Sequence, residues 1–490
     1  MAEDTWYSNG SDNWNGTNAW NTQADGGGTG LSNPDADAHV VIQGSDTITI
    51  TAAIGNSIKS LTVEAGSQLT GHASHTITIS AKGTASFGTN GYAVRIHSGA
   101  TLGSNVKLNI ETQADAWATF NGGTGTIDTL TINHSSCKVI LQGAATMGSL
   151  TITAGELDTH SNNYALTVTG DVTIAASGTL TCNSSTVIVN SFTISSGGTL
   201  SAPDASGSLT LNGTLSAWSF QNNSTNFSHN NGTITQTAAG HIKSVSSNPM
   251  YNFTLNSSSS DSHAAVFRPS SGTDCVIAAN NVTVTRGLLQ VNTHSHTMSM
   301  GSLTIGSTGT FEASSTTTTI TGGASVTTNR CLQDSGTFTH NDGTLNITGT
   351  NWGGSNYAHI HTASGIELGN VTINAGGADA KYYQFRCGSG TFNFNNVYVK
   401  SGEMRDYNNN NTFNIRGNLD IGTRGAGGTN AAFFGSDARD NAYTTKFIVA
   451  GLVTTYTNGQ FHVAYGTDGT DGCKIGGLRN VGGTVYGDTA

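Results

Sequence analysis

A four-residue strand signature recurs along the chain and constrains its fold more than any other feature. It reads small residue or Asn, then apolar, Thr, apolar, and this alternation has the two-residue period of a β-strand with one apolar face. Neighbouring copies lie roughly 20 residues apart, which is the length of one coil of a parallel β-helix. Copies span Ser60–Val63, Thr129–Ile132, Ser149–Ile152, Asp171–Ile174, Ser191–Ile194, Asn281–Val284, Ser302–Ile305 and Asn370–Ile373.

A longer repeat is superimposed on the short one. The segments Phe227–Thr233 and Phe338–Thr344 both read Phe, Ser or Thr, His, Asn, Asn or Asp, Gly, Thr, and a weaker copy begins at Phe120. Three signature strands follow each copy, so the sequence predicts three larger units of about 110 residues from about residue 120. The apolar second residues of these strands are, unit by unit, Leu130, Leu150 and Val172; Phe253, Val282 and Leu303; and Val371, Val397 and Leu419.

Coil stacking explains why the signature repeats. One coil cannot bury its own apolar face, whereas stacked coils bury a continuous column of apolar side chains. We therefore expect an all-β, elongated solenoid of about 18 to 20 coils, spaced about 4.8 Å apart like any paired strands. Thr and Asn suit such a stack, since identical side chains can form ladders from coil to coil.

The composition changes at both ends of the chain. The first 45 residues hold three of the six Trp residues, and the segment from about residue 431 is rich in Phe and Tyr. Open β-stacks need caps, because an uncovered end invites further strands. We predict an N-terminal cap or attachment module at 1–45, β-helix repeats at 46–430, and a C-terminal β cap or tip module at 431–490.

Charge and cysteine content exclude several classes of protein. Only 10% of the residues are charged, and 30 acidic against 19 basic residues give a net charge of −11. This balance argues against nucleic-acid binding, which needs a basic surface. The six cysteines are widely spaced without a C-x-x-C motif, so we expect free thiols and no zinc site. The chain has no run of 18 apolar residues and no signal-like start, so we expect cytoplasmic synthesis and no membrane insertion.

Two H-x-H motifs are weak candidates for metal binding. His294 and His296 form one motif, and His359 and His361 form the other. On a strand both rings of each motif point to the same face, an arrangement that suits a metal. The alternative is that His replaces Asn on a solvated face. Because His is scattered widely along the chain, we favour this alternative and predict neither a metal site nor a cofactor.

Carboxylates and aromatic residues are the other candidates for a functional site. Glycan-cleaving enzymes need two carboxyl groups a few ångström apart, and no Glu or Asp falls in a recognisable motif. We therefore predict no catalytic residue, although a pair formed across coils or subunits would escape detection in the sequence. Trp352 and the cluster Tyr382, Tyr383 and Phe385 are candidates for sugar or protein binding, with core packing as an equally good explanation.

The N-terminal segment resembles the opening module of phage and bacterial surface β-helix proteins. The resemblance is carried by Trp6–Gly10, Asn13–Asn15, Ala19, Trp20, Pro34, Asp37 and Val40–Ile42. The repeats, with Gly-Thr-Leu, Asn-Val-Thr-Val and Phe-Thr-His-Asn-Asp-Gly-Thr, resemble those of phage tail-fibre and tailspike-like proteins and of bacterial adhesins. The resemblance implies a right-handed parallel β-helix, often trimeric in phage.

Three functions follow from this resemblance. The first is a bacteriophage virion structural protein, namely a fibre, spike or capsid-surface appendage that contacts a host surface glycan or receptor. Such a protein would be a homotrimer beside other virion proteins, assembled in the host cytoplasm. The second is a bacterial extracellular or cell-surface adhesin or filament protein, and the third is a polysaccharide-cleaving tailspike. We expect the first, without enzymatic activity.

Overall fold

The computed structural model shows an all-β chain, as the sequence predicts. It describes residues 4–82, 91–120, 123–213, 218–244, 248–257, 264–269, 274–291, 295–322, 330–348, 357–374, 382–386, 390–406, 411–422, 432–435, 445–462 and 473–486. Within these ranges no residue is helical, and parallel stacked coils form a β-solenoid of about 15 turns. None of the described residues therefore forms an apolar helix of membrane-spanning length. The chain divides into two compact units, residues 1–235 and 236–490.

The strands of the first unit are mostly parallel partners of strands one coil away. They are Asp4–Ser8, Asp12–Asn13, Trp20–Asn21, Gly30–Leu31, Ala38–Ile42, Thr47–Thr49, Ser60–Val63, Gln68–Thr70, Ile77–Ile79, Tyr92–Ile96, Ala100–Leu102, Lys107–Ile110, Asp115–Thr119, Gly123–Thr124, Ile127–Leu141, Ala145–Asp158, Leu166–Thr181, Thr186–Ile194, Thr199–Ser201, Ser208–Leu211, Trp218–Asn222 and Asn226–Ser228, with Thr233–Gln236 at the boundary.

The second unit is built in the same way. Its strands are Gly240–Ser244, Asn252–Asn256, Ala264–Pro269, Asp274–Val291, Thr297–Glu312, Thr317–Ile320, Arg330–Asp334, Thr337–Thr339, Thr344–Ile347, Tyr357–His361, Ile366–Glu367, Asn370–Asn374, Tyr382–Arg386, Thr391–Phe394, Val397–Asp406, Thr412–Ile415, Leu419–Ile421, Ala432–Gly435, Lys446–Tyr456, Gly459–His462, Cys473–Val481 and Thr484–Tyr486.

The signature strands stack on one another in the register that their sequence predicts. Leu130 pairs with Leu150, and Leu150 pairs with Val172. The corresponding triplets of the second unit stack in the same way: Phe253, Val282 and Leu303, and Val371, Val397 and Leu419. All nine of these side chains are buried to within 1%. Each apolar column is therefore continuous across coils, and burial of about 1.5–3 kcal/mol per large apolar side chain drives the stacking.

The Thr of each signature forms a ladder on the outer side of the sheet. Thr131, Thr151, Thr173 and Thr193 follow one another in register, and each is half-buried. Their β-branched side chains suit the pleated surface, and their neighbours above and below cover the methyl groups. Within each signature strand, the apolar residues thus face the core and the Thr between them faces outward.

The longer repeat marks a coil corner with a fixed backbone conformation. Asn230 and Asn231 have φ angles of 46° and 59°, and Asn341 and Asp342 have the same two values. Asn and Asp tolerate this left-handed region better than other residues that carry a Cβ atom. A Cβ on the following Gly232 would lie 2.0 Å from the Pro203 carbonyl oxygen, so only glycine fits there.

The expected number of coils was too high, because the coils are longer than the predicted 20 residues. Leu150 pairs with Val172, which is a step of 22 residues, whereas Leu200 pairs with Phe227 after 27 residues. About 15 turns result instead of 18 to 20.

The two chain ends differ in how their core is covered. At the N-terminal end, the strand Trp20–Asn21 pairs antiparallel with Asp4–Ser8, and the buried rings of Trp14 and Trp20 pack edge to face with centroids 5.1 Å apart. At the C-terminal end, the inward column continues from buried Val453 to Leu478, which is 49% exposed. The predicted module boundaries at residues 45 and 430 stay predictions.

Candidate functional site

Outward side chains of one sheet in the first unit combine charged and aromatic groups. Tyr92 pairs in register with Trp117, and Asp115, Lys138 and Glu156 follow one another on three successive coils. Elsewhere on the strands the equivalent outer positions are mostly Thr, Ser and Asn, as in the Thr ladder. We call the set Tyr92, Arg95, Trp117, Lys138, Glu156 and Asp158 the charged face.

Glu156 and Asp158 form a carboxylate pair on one strand. They flank Leu157, which is fully buried, so both carboxylates emerge on the outer side of the sheet. The Lys138 Nζ atom lies 3.3 Å from Glu156 Oε1 and 2.9 Å from Asp158 Oδ2, bridging two coils. The Thr181 hydroxyl of the next coil donates to Glu156 Oε1 at 2.8 Å.

The surroundings of Asp158 favour its ionised form. Burial alone would raise the pKa of this carboxyl group, but hydrogen bonds from Lys138, the His160 backbone N–H and the Asn183 amide hold the pKa below its ordinary value. The pKa of Lys138 is raised, because its two carboxylate partners outweigh the effect of burial. The pair is therefore a salt-bridged cluster with Asp158 in the carboxylate state.

A groove of about 380 Å³ lies on the charged face beside Arg95. Its lining includes Tyr92, His97 and Gln142, and Arg95 is the only Lys, Arg, Asp or Glu among the described residues that line it. The guanidinium carbon of Arg95 lies 5.3 Å from the centre of the Tyr92 ring, a cation–π contact. The Gln142 Nε2 atom is buried and has no hydrogen-bond partner among the described residues.

His97 is a neutral group in this groove at neutral pH. Its pKa is lowered, first because burial disfavours the charged ring and second because Arg95 repels it, while Glu64 acts in the opposite direction. The neutral imidazole offers one donor and one acceptor nitrogen. Arg95 thus carries the positive charge of the groove.

The H-x-H motifs are only partly described. His294 lies outside the described residues, and His296 is half-buried. His359 and His361 flank the buried Ile360 on one strand, and their exposures differ: His359 is 7% exposed, whereas His361 is exposed. Among the described residues no group of three or more His, Cys, Asp or Glu could hold a metal ion.

Two of the candidate binding aromatics belong to the core. Tyr383 and Phe385 are both 0% exposed, and the Phe385 ring packs against Phe392 and Phe413 at centroid distances of 5.1 and 5.6 Å. Of the two explanations that the sequence left open for these rings, core packing applies, because their strand turns residues 383 and 385 inward. Trp352 and the side chain of Tyr382 lie outside the described residues.

The cysteine thiols agree with the expectation from their spacing. Cys137, Cys182, Cys331 and Cys473 are free thiols, and the first three are buried. Burial raises the pKa of Cys331 to about 12 and that of Cys182 further still. A thiol in this state is a poor nucleophile and packs as a small apolar group. Cys387 lies outside the described residues.

Sequence reasoning missed the charged face for a physical reason. Lys138 and Glu156 meet only through coil-to-coil register, which depends on coil lengths that the sequence does not state. The one available signal was the pattern Glu156-Leu157-Asp158, where strand alternation alone places two carboxylates on one face.

Comparison with known proteins identifies no relative, since no family model, no curated protein and no solved structure matches the chain.

Proposed function

We propose that this chain is a bacteriophage virion structural protein, a fibre, spike or capsid-surface appendage, that binds a host surface glycan without cleaving it. The observation that carries this proposal is the charged face. The groove on this face is lined by an arginine stacked on a tyrosine ring and by an unsatisfied amide donor. The phage assignment is supported by the resemblance of the N-terminal segment and the repeats to tail-fibre and tailspike-like proteins.

The state of Asp158 supports binding rather than hydrolysis. A glycosidase needs one carboxyl group with a raised pKa, so that it can donate a proton to the leaving oxygen. The pKa of Asp158 is shifted in the opposite direction, and Lys138 contacts both carboxylates of the pair. Asp158 is thus held in its charged form, and Lys138 joins both carboxylates across two coils.

Polysaccharide cleavage is the second candidate function, because Glu156 and Asp158 are adjacent carboxylates on an outer sheet face. The two candidates are separated by incubating the protein with purified bacterial capsular polysaccharides. Our proposal predicts co-sedimentation with a polysaccharide and no new reducing ends. Release of reducing ends that disappears in Glu156→Gln would replace it with the cleaving function.

The location of the protein separates a virion component from a bacterial adhesin. Gold-labelled antibody against the chain should decorate phage particles, and sedimentation equilibrium should give three times the 50.3 kDa chain mass. Label on the bacterial envelope instead of on particles would favour the adhesin. A mass of one chain would refute the homotrimer.

A further inference from the structure

We infer that the groove beside Arg95 binds the carboxylated sugar of an acidic polysaccharide. This inference rests on the proposed function, because it names the chemical class of the glycan at the same face. Arg95 supplies the only full charge among the described lining residues, and that charge is positive. The guanidinium group presents donors in a fixed fork that matches a carboxylate.

Tyr92 and Trp117 hold the Arg95 side chain in position. The Tyr92 ring contacts the guanidinium group at 5.3 Å and meets Trp117 of the next coil edge to face, with centroids 5.6 Å apart. The tyrosine ring thus contacts both the cation and the indole. An arginine held in this way loses less side-chain entropy on binding than a free surface arginine.

The remaining groove atoms favour a ligand rich in acceptors. Gln142 Nε2 is a buried donor without a partner among the described residues, and an unmade hydrogen bond of this kind is unfavourable until an acceptor arrives. The Ser98 hydroxyl and the neutral imidazole of His97 also line the groove. A sugar acid offers carboxylate, ring and hydroxyl oxygens within one residue, so it can satisfy these donors together.

Backbone pairing argues against an extended acidic peptide as the ligand. Peptides commonly bind by adding a strand to an open sheet edge. The strand Tyr92–Ile96 is already paired on both sides, with Ser60–Val63 and with Asp115–Thr119. The groove volume of about 380 Å³ lies at the small end of the range typical of ligand pockets, which suits one or two sugar residues.

The inference is tested by calorimetry on the full chain with three probes. The probes are tetragalacturonate, the same tetrasaccharide with its carboxyl groups reduced to alcohols, and tetraglutamate. We expect tetragalacturonate to bind at least tenfold more tightly than either of the others. Equal binding of the reduced sugar would overturn the role of the carboxylate, and equal binding of tetraglutamate would overturn the sugar.

Three variants assign the binding to this groove. Arg95→Gln should weaken tetragalacturonate binding roughly tenfold to a hundredfold, as expected for the loss of a charge-assisted hydrogen bond. Gln142→Leu should also weaken binding, while its melting temperature stays equal to that of the wild type or rises, because a buried unsatisfied donor is removed. Arg416→Gln is the matched control, because Arg416 is an exposed arginine that pairs with Glu367, and both residues belong to the second unit, whereas the groove belongs to the first. This variant should bind tetragalacturonate like the wild type.

The outcomes distinguish this inference from the proposed function. If Arg95→Gln binds tetragalacturonate normally but the wild type still sediments with bacterial polysaccharide, the groove assignment fails and the proposed function survives. If the wild type binds neither the tetrasaccharide nor any capsular polysaccharide, both fail. Loss of binding in Arg95→Gln and Gln142→Leu with unchanged circular dichroism supports the groove.

Discussion

Asn230 and Asn341 make the same contact at equivalent corners of two different coils. Each has a φ angle of 46°, and each donates its side-chain Nδ2 to a carbonyl oxygen of the preceding coil, at 2.7 Å to Ala202 and 2.8 Å to Ala313. The side chain thus ties the corner to its neighbour while the backbone turns. This dual role explains why the longer repeat preserves Asn at that position.

Replacing Asn341 should separate these two roles. Asn341→Ala loses the hydrogen bond and puts alanine, which tolerates the left-handed region less well than asparagine, at a φ angle of 46°, so we expect the free energy of unfolding to fall by about 1–3 kcal/mol. Asn341→Gly tolerates the φ angle and loses only the bond, so its loss should be smaller. Hydrogen exchange of amides in the strand Thr337–Thr339 measures the local change. Equal protection of these amides from exchange in both variants would contradict the argument that alanine is strained at this φ angle.

Gly232 should be irreplaceable at its corner. A Cβ atom there would lie 2.0 Å from the Pro203 carbonyl oxygen, and backbone cannot move away cheaply. We expect Gly232→Ala to lower the free energy of unfolding of its coils by more than about 2 kcal/mol. Gly55→Ala is the control, because a Cβ atom at Gly55 meets nothing within 4 Å. Urea titration followed by circular dichroism compares the two, and similar midpoints would refute the contact.

The His229 corner should make local stability depend on pH. The Nδ1 atom of His229 accepts a hydrogen bond from the Asn231 backbone N–H at 3.0 Å, which requires an unprotonated nitrogen, and burial lowers the pKa of this ring. A lowered pKa in the folded state means that the stabilising contribution is complete above the ordinary value of 6.5. It is lost as the pH falls from there through the folded pKa.

The variant His229→Asn tests this pH dependence. Its Oδ1 atom can accept the same backbone N–H as a side-chain turn, and it does not titrate. We therefore expect hydrogen exchange near residue 231, corrected for the intrinsic effect of pH, to lose its dependence between pH 7 and pH 5. An unchanged dependence in the variant would show that another group is responsible.

Lys138 should control the ionisation of Asp158. In Lys138→Met the burial of Asp158 is no longer offset by its ammonium partner, so its pKa should rise and stability should fall by roughly 1 kcal/mol at neutral pH. In the wild type the lowered pKa means that stability is lost as pH falls through it. Carbon-13 titration of Asp158 measures the change. Lys59→Met, which breaks the separate ion pair with Asp37, should leave that titration unaltered.

The sequence predicted those features of the fold that depend on the alternation of apolar and polar residues within a strand. The inward Leu150 and outward Thr151 follow from the two-residue period alone, and the stacking of Leu150 on Leu130 follows from identical patterns one coil apart. The position of Asn230 in a corner was visible as a repeated motif, although its hydrogen bond to Ala202 was not.

The sequence could not predict which side chains of different coils meet, because these contacts depend on coil length. Trp117 packs against Tyr92, and Lys138 reaches Glu156, only because the corners between them contain particular numbers of residues. For a related reason the sequence left open whether Tyr383 faces inward or outward. A strand with apolar or aromatic residues at both 382 and 383 does not reveal which of its two faces is the core.

The ladder of matched coils has a consequence for how such a gene can change in length. Because a shift of one residue within a strand would turn its inward side chains outward, a length change inside a strand breaks the column from Leu130 to Val172, whereas gain or loss of a complete coil preserves it. Duplication of several coils at once would leave identical corners at a fixed distance along the chain. The matched geometry at Asn230 and Asn341 is what such a duplication would leave, so natural variants of this protein should differ in length by whole turns or by residues between the strands, and not within the strands.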